Sequence, residues 1–285
     1  MKKNKLAPII IFTYNRDKHF EITLKSLSKN YLSKESELYI FCDGPKNLSD
    51  KKNISRIYNL YLLNKSFKRK KIIFRKKNIG LKKNITQGVS QILKDYDSVI
   101  VLEDDMISSK YFLTYMNEGL KKFKNYSKVA SIHAYMYPLK KKFKDKYFFL
   151  KGADCWGWGT WKRSWKKLSL NSKKLSIKIE KNNLIEEFNY NNSYNYFKML
   201  KKNIKTNRSW AICWYASMFL QNMYTLNPTT SLIKNIGLDG SGTNCKIDYQ
   251  MNSKFLNKYH KIANIDLKEN NQIKDEIKIF FKDNL

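Results

Sequence analysis

The first hundred residues alternate between short apolar runs and longer amphipathic stretches. Residues 8–13, 37–42, 71–74 and 99–102 are apolar runs of the length of buried strands. The stretches that separate them carry apolar residues at the three- and four-residue spacing of helices. Four strands alternating with three helices predict an α/β fold, in which a mostly parallel sheet is covered by helices on both faces.

The second half of the chain has a different pattern. Residues 130–137 and 147–151 are predicted strands, and residues 169–208 show mostly helical spacing. Residues 273–281 predict an amphipathic helix that lies either on the fold or on a lipid surface. All six tryptophans lie between residues 156 and 214, and helical spacing predicts core packing for four of them: Trp161, Trp165, Trp210 and Trp214.

Polar residues follow each of the four early strands. Because the carboxyl ends of parallel strands meet at one edge of a sheet, where α/β folds bind their ligands, we expect these residues to lie together. Their polar groups suit a nucleotide. The predicted nucleotide-binding residues are Thr13, Asn15, Arg16, Asp43, Arg75, Asn78, Gly80, Glu103 and Asp104.

Three adjacent acids, Glu103, Asp104 and Asp105, directly follow the fourth apolar run. Adjacent carboxylates repel one another and lose hydration when they are buried, so their concentration in a lysine-rich chain needs a reason. A divalent metal that carries a nucleotide diphosphate would be such a reason, because Mg2+ and Mn2+ prefer carboxylate and phosphate oxygens. The alternative is a solvated turn in which Asp104 or Asp105 caps the next helix.

Two segments of the second half combine glycine with residues suited to sugar or phosphate. From Trp156 to Trp161, indole rings stand beside glycines, so that backbone can approach a ligand while aromatic faces stack on a sugar ring. Trp156 and Trp158 are the predicted acceptor-binding residues. Residues 235–244 are glycine-rich and contain one acid, Asp239. This stretch either closes over a bound diphosphate through its amides or is a surface linker.

Composition narrows the functional classes. Of 285 residues, 42% are hydrophobic and 14% aromatic, which is enough for a packed core. The 56 Lys and Arg against 24 Asp and Glu give a formal net charge of +32, yet only six of the basic residues are arginine. Proteins that read nucleic-acid sequence rely on the arginine fork, whereas diffuse lysine suits phosphorylated substrates and anionic lipid surfaces. We therefore expect no nucleic acid as a partner.

Targeting and cysteine signals point to the cytoplasm. The apolar run after residues 1–5 is too short for a signal peptide, and no stretch reaches the about 18 apolar residues of a membrane span. Four scattered cysteines predict buried thiols rather than a zinc site or disulfides, and three histidines argue against a histidine-rich metal site. We expect a cytoplasmic protein that rests on the anionic inner face of the cytoplasmic membrane.

Four motifs in order give the chain a resemblance to a known family: PIIIFTYNR, FCDGP, VIVLEDDMISSKYFLTYM and DCWGWGTWKRSW. They resemble the GT-A glycosyltransferases, most closely the N-acetylglucosaminyltransferase I type. Later segments, SWAICW and residues 235–245, resemble bacterial sugar transferases of surface-polysaccharide gene clusters. The resemblance implies a Rossmann-like GT-A fold, with 1–125 as the nucleotide-sugar-binding half, 126–250 as the acceptor-side half of the same domain and 251–285 as a basic C-terminal tail.

The resemblance also implies roles for individual residues. Arg16 contacts the nucleotide, and Asp43 reads the uracil or ribose. Glu103 and Asp104 take the ribose side and the diphosphate side of the metal motif, and Asp105 binds Mn2+ or Mg2+ directly. The implied reaction is a metal-dependent, inverting transfer of a hexosyl or N-acetylhexosaminyl group from a UDP-sugar to a glycan or glycolipid acceptor, such as a lipid-linked, polysaccharide or lipopolysaccharide chain.

The general base departs from the family pattern. An inverting transfer needs a carboxylate that takes the proton of the acceptor hydroxyl. Related enzymes carry an acid near residues 208–214, where this chain has Trp210 and Ala211. Asp154 and Asp239 are the remaining candidates. We prefer Asp154, because it precedes the Trp-Gly segment, although a loop acid that caps the next helix explains it equally well.

Other functions stay open at this point. Cys213 and Asn244 stand where similar bacterial sequences are expected to carry an Arg and a His, which together with the missing base allows a degenerate transferase that binds a nucleotide sugar without turnover. Nucleotidyl transfer would use a similar site, but residues 13–16 lack the glycines that such enzymes normally show after the first strand. A basic nucleic-acid-binding protein accounts for the lysines but not for acids at three strand ends.

Overall fold

The computed structural model describes residues 6–241, 251, 253, 255, 256 and 258–284. Within this part of the chain, eight strands form one sheet and two more pair separately. The strands are β1 (Ile9–Thr13), β2 (Glu37–Cys42), β3 (Arg69–Phe74), β4 (Ser98–Glu103), β5 (Met106–Ser108), β6 (Val129–His133), β7 (Tyr147–Lys151), β8 (Trp158–Trp161), β9 (Tyr224–Pro228) and β10 (Ile233–Asn235).

The helices of the described residues lie between these strands and after them. They are α1 (Asp17–Ser28), α2 (Leu48–Leu63), α3 (Leu81–Asp95), α4 (Phe112–Lys122), α5 (Lys162–Trp165), α6 (Ser172–Lys181), α7 (Ile185–Phe188), α8 (Tyr196–Thr206), α9 (Ala211–Phe219) and α10 (Asn271–Asn284). Three of them, α6 to α8, occupy the stretch 169–208, which confirms the helical prediction there.

The large sheet has the strand order β3-β2-β1-β4-β8-β6-β9-β7. Strand β1 pairs in parallel with β2 and β4, β2 with β3, and β6 with β9, whereas β8 and β7 run antiparallel to their neighbours. The predicted mostly parallel sheet is therefore confirmed. Because β4 ends between β1 and β8, the acids that follow it lie at the carboxyl edge of the parallel strands.

Helices cover both faces of the sheet, as predicted. Successive residues of β1 point to opposite faces, so Ile9 joins one core cluster and Ile10 the other. Helices α1, α2 and α4 bury their apolar sides on the first face. Helices α3, α5 and α9 do so on the second. The amphipathic spacing of the sequence thus matches a three-layer arrangement.

Four tryptophans, Trp158, Trp165, Trp210 and Trp214, pack on the second face, whereas Trp161 packs on the first. Trp161, Trp165, Trp210 and Trp214 are all buried, which confirms the predicted core packing. Trp158 is buried with them: it is 1% exposed, and its ring centroid lies 5.2 Å from that of Trp210. The prediction that Trp158 binds the acceptor is therefore wrong, because its position in β8 turns the ring toward α9, where neighbouring indoles occupy its faces.

The segment after the acids differs from the prediction. Residues 106–108 form β5, which pairs antiparallel with β10, and α4 begins only at Phe112 with Tyr111 as its N-cap residue. Neither Asp104 nor Asp105 caps a helix, so the capping alternative is wrong. The predicted strand over 130–137 is shorter, because β6 ends at His133.

The C-terminal helix packs on the fold. The apolar side of α10 carries Ile273, Ile277, Phe280 and Phe281, which contact Phe148 and neighbouring core residues. The apolar side of α10 therefore lies on the fold and not on a lipid surface. No described helix is both long enough and apolar enough to cross a membrane.

The docking of α10 can be tested with two isoleucines on one helix. Ile277 is 1% exposed and Ile279 is 52% exposed. Ile277→Ala should lower the free energy of unfolding in urea by about 2–5 kcal/mol, because it leaves a cavity. Ile279→Ala should change it by less than about 0.5 kcal/mol. Equal effects of the two substitutions would contradict this packing.

Candidate functional site

The acids after β4 are anchored by the end of β1 and the middle of α1. Thr13 donates a hydrogen bond through Oγ1 to Asp104 Oδ2 at 2.9 Å, and Thr23 donates through Oγ1 to the Asp104 carbonyl at 2.7 Å. Asp104 is 3% exposed and Asp105 is 7% exposed. The parallel pairing of β1 with β4, in which Phe12 stands opposite Glu103, brings the polar residues of the two strand ends together.

Arg16 is the cation of this site. Its guanidinium donates to Asp104 Oδ1 and, at 2.7 Å, to Asp105 Oδ2, and it is 20% exposed. Its other terminal nitrogen, Nη1, is buried and has no hydrogen-bond partner among the described residues. The predicted nucleotide contact and the predicted metal ligand are thus directly paired in this structure.

One guanidinium does not balance three carboxylates. Burial, with repulsion from Asp105 and Asp104, raises the pKa of Glu103 to about 8. Burial also raises the pKa of Asp104, although Arg16 counteracts it. A further cation at this strand end would favour the ionised forms of Glu103 and Asp104. The site therefore has the electrostatic character of a cation-binding site.

Asp105 fits a divalent metal by its chemistry. Its Oδ1 is buried and accepts no hydrogen bond from the described residues, and such an oxygen is stabilised by a cation or a donor. The described residues hold no group of three or more His, Cys, Asp or Glu side chains placed around one metal position. A metal that takes one or two carboxylates and completes its shell with substrate phosphates and water needs no such group.

The glycine-rich segment after β10 packs against Asp105. The Ile236 amide donates to the Asp105 carbonyl at 2.9 Å. A Cβ atom on Gly237 would lie 2.1 Å from Asp105 Oδ2, so only glycine allows this approach. The first residues of this segment are therefore packed against the acids and do not form a simple surface linker. Residues 242–250, which include Asn244 and Cys245, lie outside the described part of the chain.

Asp43 joins the end of β2 to the turn after β3. Its carboxylate accepts hydrogen bonds from the amides of Gly44, Ile79 and Gly80, each at 2.9 Å. Asn78 donates to the Gly44 carbonyl at 3.1 Å, and Gly80 adopts a φ of 79° before α3. These contacts fix the turn after β3 against the end of β2, and direct reading of a base or ribose by Asp43 stays a prediction.

Arg75 follows β3 at the same edge. Its Nε donates to Asn84 Oδ1 at 3.0 Å, and its guanidinium lies 5.2 Å from the centroid of the Phe41 ring. The terminal nitrogen Nη2 is buried without a hydrogen-bond partner among the described residues. A second guanidinium with an available donor therefore lies at this edge of the sheet, close enough to Asp43 to feel its charge.

Asp50 is a site-supporting residue that the sequence did not reveal. It is 4% exposed and accepts hydrogen bonds from Tyr14, from Asn15 Nδ2 at 2.6 Å and from the Lys46 amide at 2.9 Å. It thereby holds the turn between β1 and α1 that carries Arg16. The only sequence signal was Asn47 three residues earlier, which accepts from the Asp50 amide and indicates a helix start rather than a loop anchor.

The two candidate bases lie in different surroundings. Asp239 accepts hydrogen bonds from the Ser241 amide at 2.9 Å and hydroxyl at 2.6 Å and lies 3.0 Å from His19 Nε2. Hydrogen bonds from Ser241, with a smaller effect of His19, lower its pKa to about 2, which makes it a weak base. Asp154 lies between β7 and β8, and its Oδ1 is 3.9 Å from His133 Nε2.

Asp154 opens into an aromatic cavity of about 240 Å³. Trp156 lines the same cavity and meets Tyr135 edge to face, with ring centroids 4.7 Å apart. Trp156 is partly exposed, so its predicted role in acceptor binding stays a prediction. The structure thus separates a charged strand-end site from an aromatic cavity on the other side of β8.

The family model for glycosyl transferase family 2 matches residues 9–182. A comparison with curated proteins found no match. Three solved structures are similar over part of their length. S. aureus TarS 1–349 in complex with UDP is 18% identical with a TM-score of 0.35, and glucosyl-3-phosphoglycerate synthase from Mycobacterium tuberculosis with Mn2+ and UDP is 12% identical with a TM-score of 0.34. Mannosyltransferase PcManGT from Pyrobaculum calidifontis with GDP-Man and Mn2+ is 9% identical with a TM-score of 0.35.

These structural likenesses are partial on both sides. They cover 50%, 47% and 46% of this chain, in the same order. This chain spans 40%, 45% and 36% of the respective structures, which is less than half of each.

The anchoring role of Asp50 can be tested by Asp50→Asn. Burial by itself would raise the pKa of Asp50, but hydrogen bonds from Tyr14, the Lys46 amide and Asn15 lower it. The substitution should reduce the free energy of unfolding by about 1.5–3 kcal/mol at pH 7. Because the folded-state pKa is below the unfolded value of about 3.9, the difference from wild type should persist above that pH and disappear as pH falls through the folded value.

The control for this experiment is Asp97→Asn. Asp97 forms an exposed ion pair with Lys124, and its loss should change the free energy of unfolding by less than about 1 kcal/mol. Equal losses in the two variants, or a loss for Asp50→Asn that is unchanged in strong acid, would show that the Asp50 carboxylate does not anchor the turn.

Proposed function

The chain belongs to glycosyl transferase family 2, and from this premise we propose that it transfers a sugar from a UDP-sugar to a glycan or glycolipid acceptor. The observation that carries the proposal is the cluster of Arg16, Asp104 and Asp105 at the carboxyl edge of the parallel strands. It combines an unpartnered carboxylate oxygen, which suits a metal, with guanidinium nitrogens, which suit phosphates.

In the proposed donor site, a carboxylate binds the metal and arginines bind the anionic donor. Asp105 would hold Mn2+ or Mg2+, which would supply charge neutralisation on the departing diphosphate. Arg16 and Arg75 each have a buried terminal nitrogen without a partner among the described residues, so both can donate to the anionic donor. Asp43, at the end of β2, is the proposed contact to the uracil or ribose.

Arg16 is proposed to serve two states of the site. Without donor, its guanidinium is the counter-ion of Asp104 and Asp105. A nucleotide diphosphate would offer it a stronger anionic partner, while a metal would take over the carboxylates. The same arginine thus offsets the charge of the carboxylates when no donor is bound, and it contacts the diphosphate when the donor binds.

The acceptor is proposed to be a lipid-linked or surface-polysaccharide glycan at the inner face of a bacterial cytoplasmic membrane, and the transfer to proceed with inversion. The net charge of +32 supports this location, since each basic residue near an anionic leaflet contributes about 1 kcal/mol of attraction. Inversion requires a base on the acceptor side. Asp154 is the proposed base, since the pKa of Asp239 is lowered to about 2.

Calorimetric titration of UDP, GDP and CMP into the protein, each with Mn2+ and with chelator, tests the donor site. We expect UDP to bind selectively with Mn2+ and to lose at least about tenfold in affinity in chelator, because the metal contacts are lost. Asp105→Asn should show the same loss with Mn2+ present, because one ligand charge is removed. Asp97→Asn, an acid exposed on the surface, should bind as wild type does.

Two results would refute the donor assignment. One is UDP binding that Asp105→Asn leaves unchanged in Mn2+. The other is the absence of binding for all three nucleotides in both conditions, since a family 2 fold without nucleotide binding would be a fold retained without its chemistry.

A further inference from the structure

His133 ends β6 with one ring nitrogen fixed and the other unpaired. It is 2% exposed, and its Nδ1 lies 3.1 Å from Asn227 Oδ1. The Asn227 amide is oriented by its Nδ2, which donates to the Thr225 carbonyl at 2.8 Å. The Asn227 oxygen therefore faces the imidazole as an acceptor, and His133 must carry its proton on Nδ1.

The remaining nitrogen of His133 is therefore a hydrogen-bond acceptor. Burial lowers the pKa of His133, so the ring is neutral at pH 7 and Nε2 carries a lone pair. Nε2 is buried and has no hydrogen-bond partner among the described residues, while Asp154 Oδ1 lies 3.9 Å away. Asp154 Oδ1 accepts a hydrogen bond from the Cys155 amide at 2.7 Å, so Nε2 of His133 is the acceptor of this pair that lacks a donor among the described residues.

These two neighbouring acceptors, of which the carboxylate can accept a further hydrogen bond, select the chemistry of a ligand. A hydroxyl has one proton and can satisfy only one of the two acceptors. A pair of neighbouring hydroxyls satisfies both, one donating to Asp154 and the other to His133 Nε2. Neighbouring hydroxyls on one ring are characteristic of sugars, hexopyranoses among them, and a buried acceptor of this kind discriminates strongly against ligands that lack the matching donor.

The cavity around these two acceptors suits the rest of a sugar. Trp156, Tyr135 and Tyr196 are among the aromatic side chains that line it. Their rings offer apolar faces for the C–H face of a pyranose, and Tyr and Trp also provide polar edges. Small-molecule sites usually combine aromatic walls with a few polar groups, as this cavity does.

The register of the sheet places this cavity beside the acids. Trp158 stands opposite Val101 of β4 on one side and opposite His133 of β6 on the other. His133 is thus two strand spacings, about 10 Å, from β4, and Glu103 lies two residues, about 7 Å, further along β4. The two sites open at the same edge of the sheet, about 12 Å apart by these spacings.

We propose that His133 and Asp154 form the acceptor-sugar site, which binds a hexopyranose through two neighbouring hydroxyls. This proposal rests on the function proposed above. The hydroxyl held by Asp154 is the nucleophile: its oxygen bonds to the anomeric carbon, the bond from that carbon to the UDP oxygen breaks, and UDP leaves with the electron pair. The hydroxyl proton passes to Asp154, and His133 fixes the neighbouring hydroxyl.

The binding test uses saturation-transfer NMR with methyl glycosides of glucose, galactose, mannose and N-acetylglucosamine, in the presence of UDP and Mn2+. We expect at least one glycoside to bind wild type, and its deoxy analogues to lose binding at two neighbouring positions. Asp154→Asn and His133→Phe should weaken this binding at least about tenfold, because each removes one acceptor. UDP affinity should stay within about twofold of wild type in both variants.

Asp145→Asn is the matched control. It is an exposed acid near the start of β7, and it should bind the glycoside as wild type does. Since Asp154 is 41% exposed, Asp154→Asn carries the test even if His133→Phe does not fold. The 15N shift of His133 Nε2 gives a direct readout: it should move on glycoside binding in wild type, which a purely structural histidine would not show.

The outcomes separate the two proposals. Wild type that binds UDP but none of the glycosides overturns the acceptor-site assignment, and so does a glycoside that binds Asp154→Asn as tightly as wild type. Glycoside binding that needs both residues, in a protein that does not bind UDP, instead refutes the proposed function and leaves the sugar site standing.

Discussion

The ion pairs of Arg16 with Asp104 and Asp105 are the interaction on which this structure depends. They join the turn after β1 to the end of β4 and so fix the carboxyl edge of the sheet at its centre. Without the guanidinium, two buried carboxylates would face each other with no counter-ion, which is strongly unfavourable. Asp50 holds the turn that carries the arginine, and Gly237 lets a second segment close against the same acids.

The two sides of the site are held by different physical means. The proposed donor side is built from the charges of Arg16, Asp104 and Asp105, which would orient an anionic ligand and a metal. The proposed acceptor side is built from aromatic rings, with His133 and Asp154 as its polar pair. Between them stands β8, whose Trp158 is packed among three other indoles and makes the partition rigid. A transferase needs such rigidity, because both substrates must meet within a fraction of an ångström.

The sequence predicted what depends on neighbouring residues and missed what depends on distant ones. The four early strands and their helices were correct, because apolar periodicity reports local structure. Trp158 was wrong because a Trp-Gly pattern does not tell which face of a strand a later helix will cover. The pairing of β5 with β10 joins segments far apart in the chain. The sequence around Asp50 indicates only a helix start, and the sequence around His133 indicates only an apolar strand.

Anomalous diffraction from crystals grown with UDP and Mn2+ tests the central claim most directly. The account predicts one manganese peak at about 2.0–2.2 Å from Asp105 Oδ1, with phosphate oxygens completing its shell and Arg16 turned from the acids to the diphosphate. A manganese peak elsewhere, or UDP bound with Arg16 still paired to Asp104 and Asp105, would contradict it.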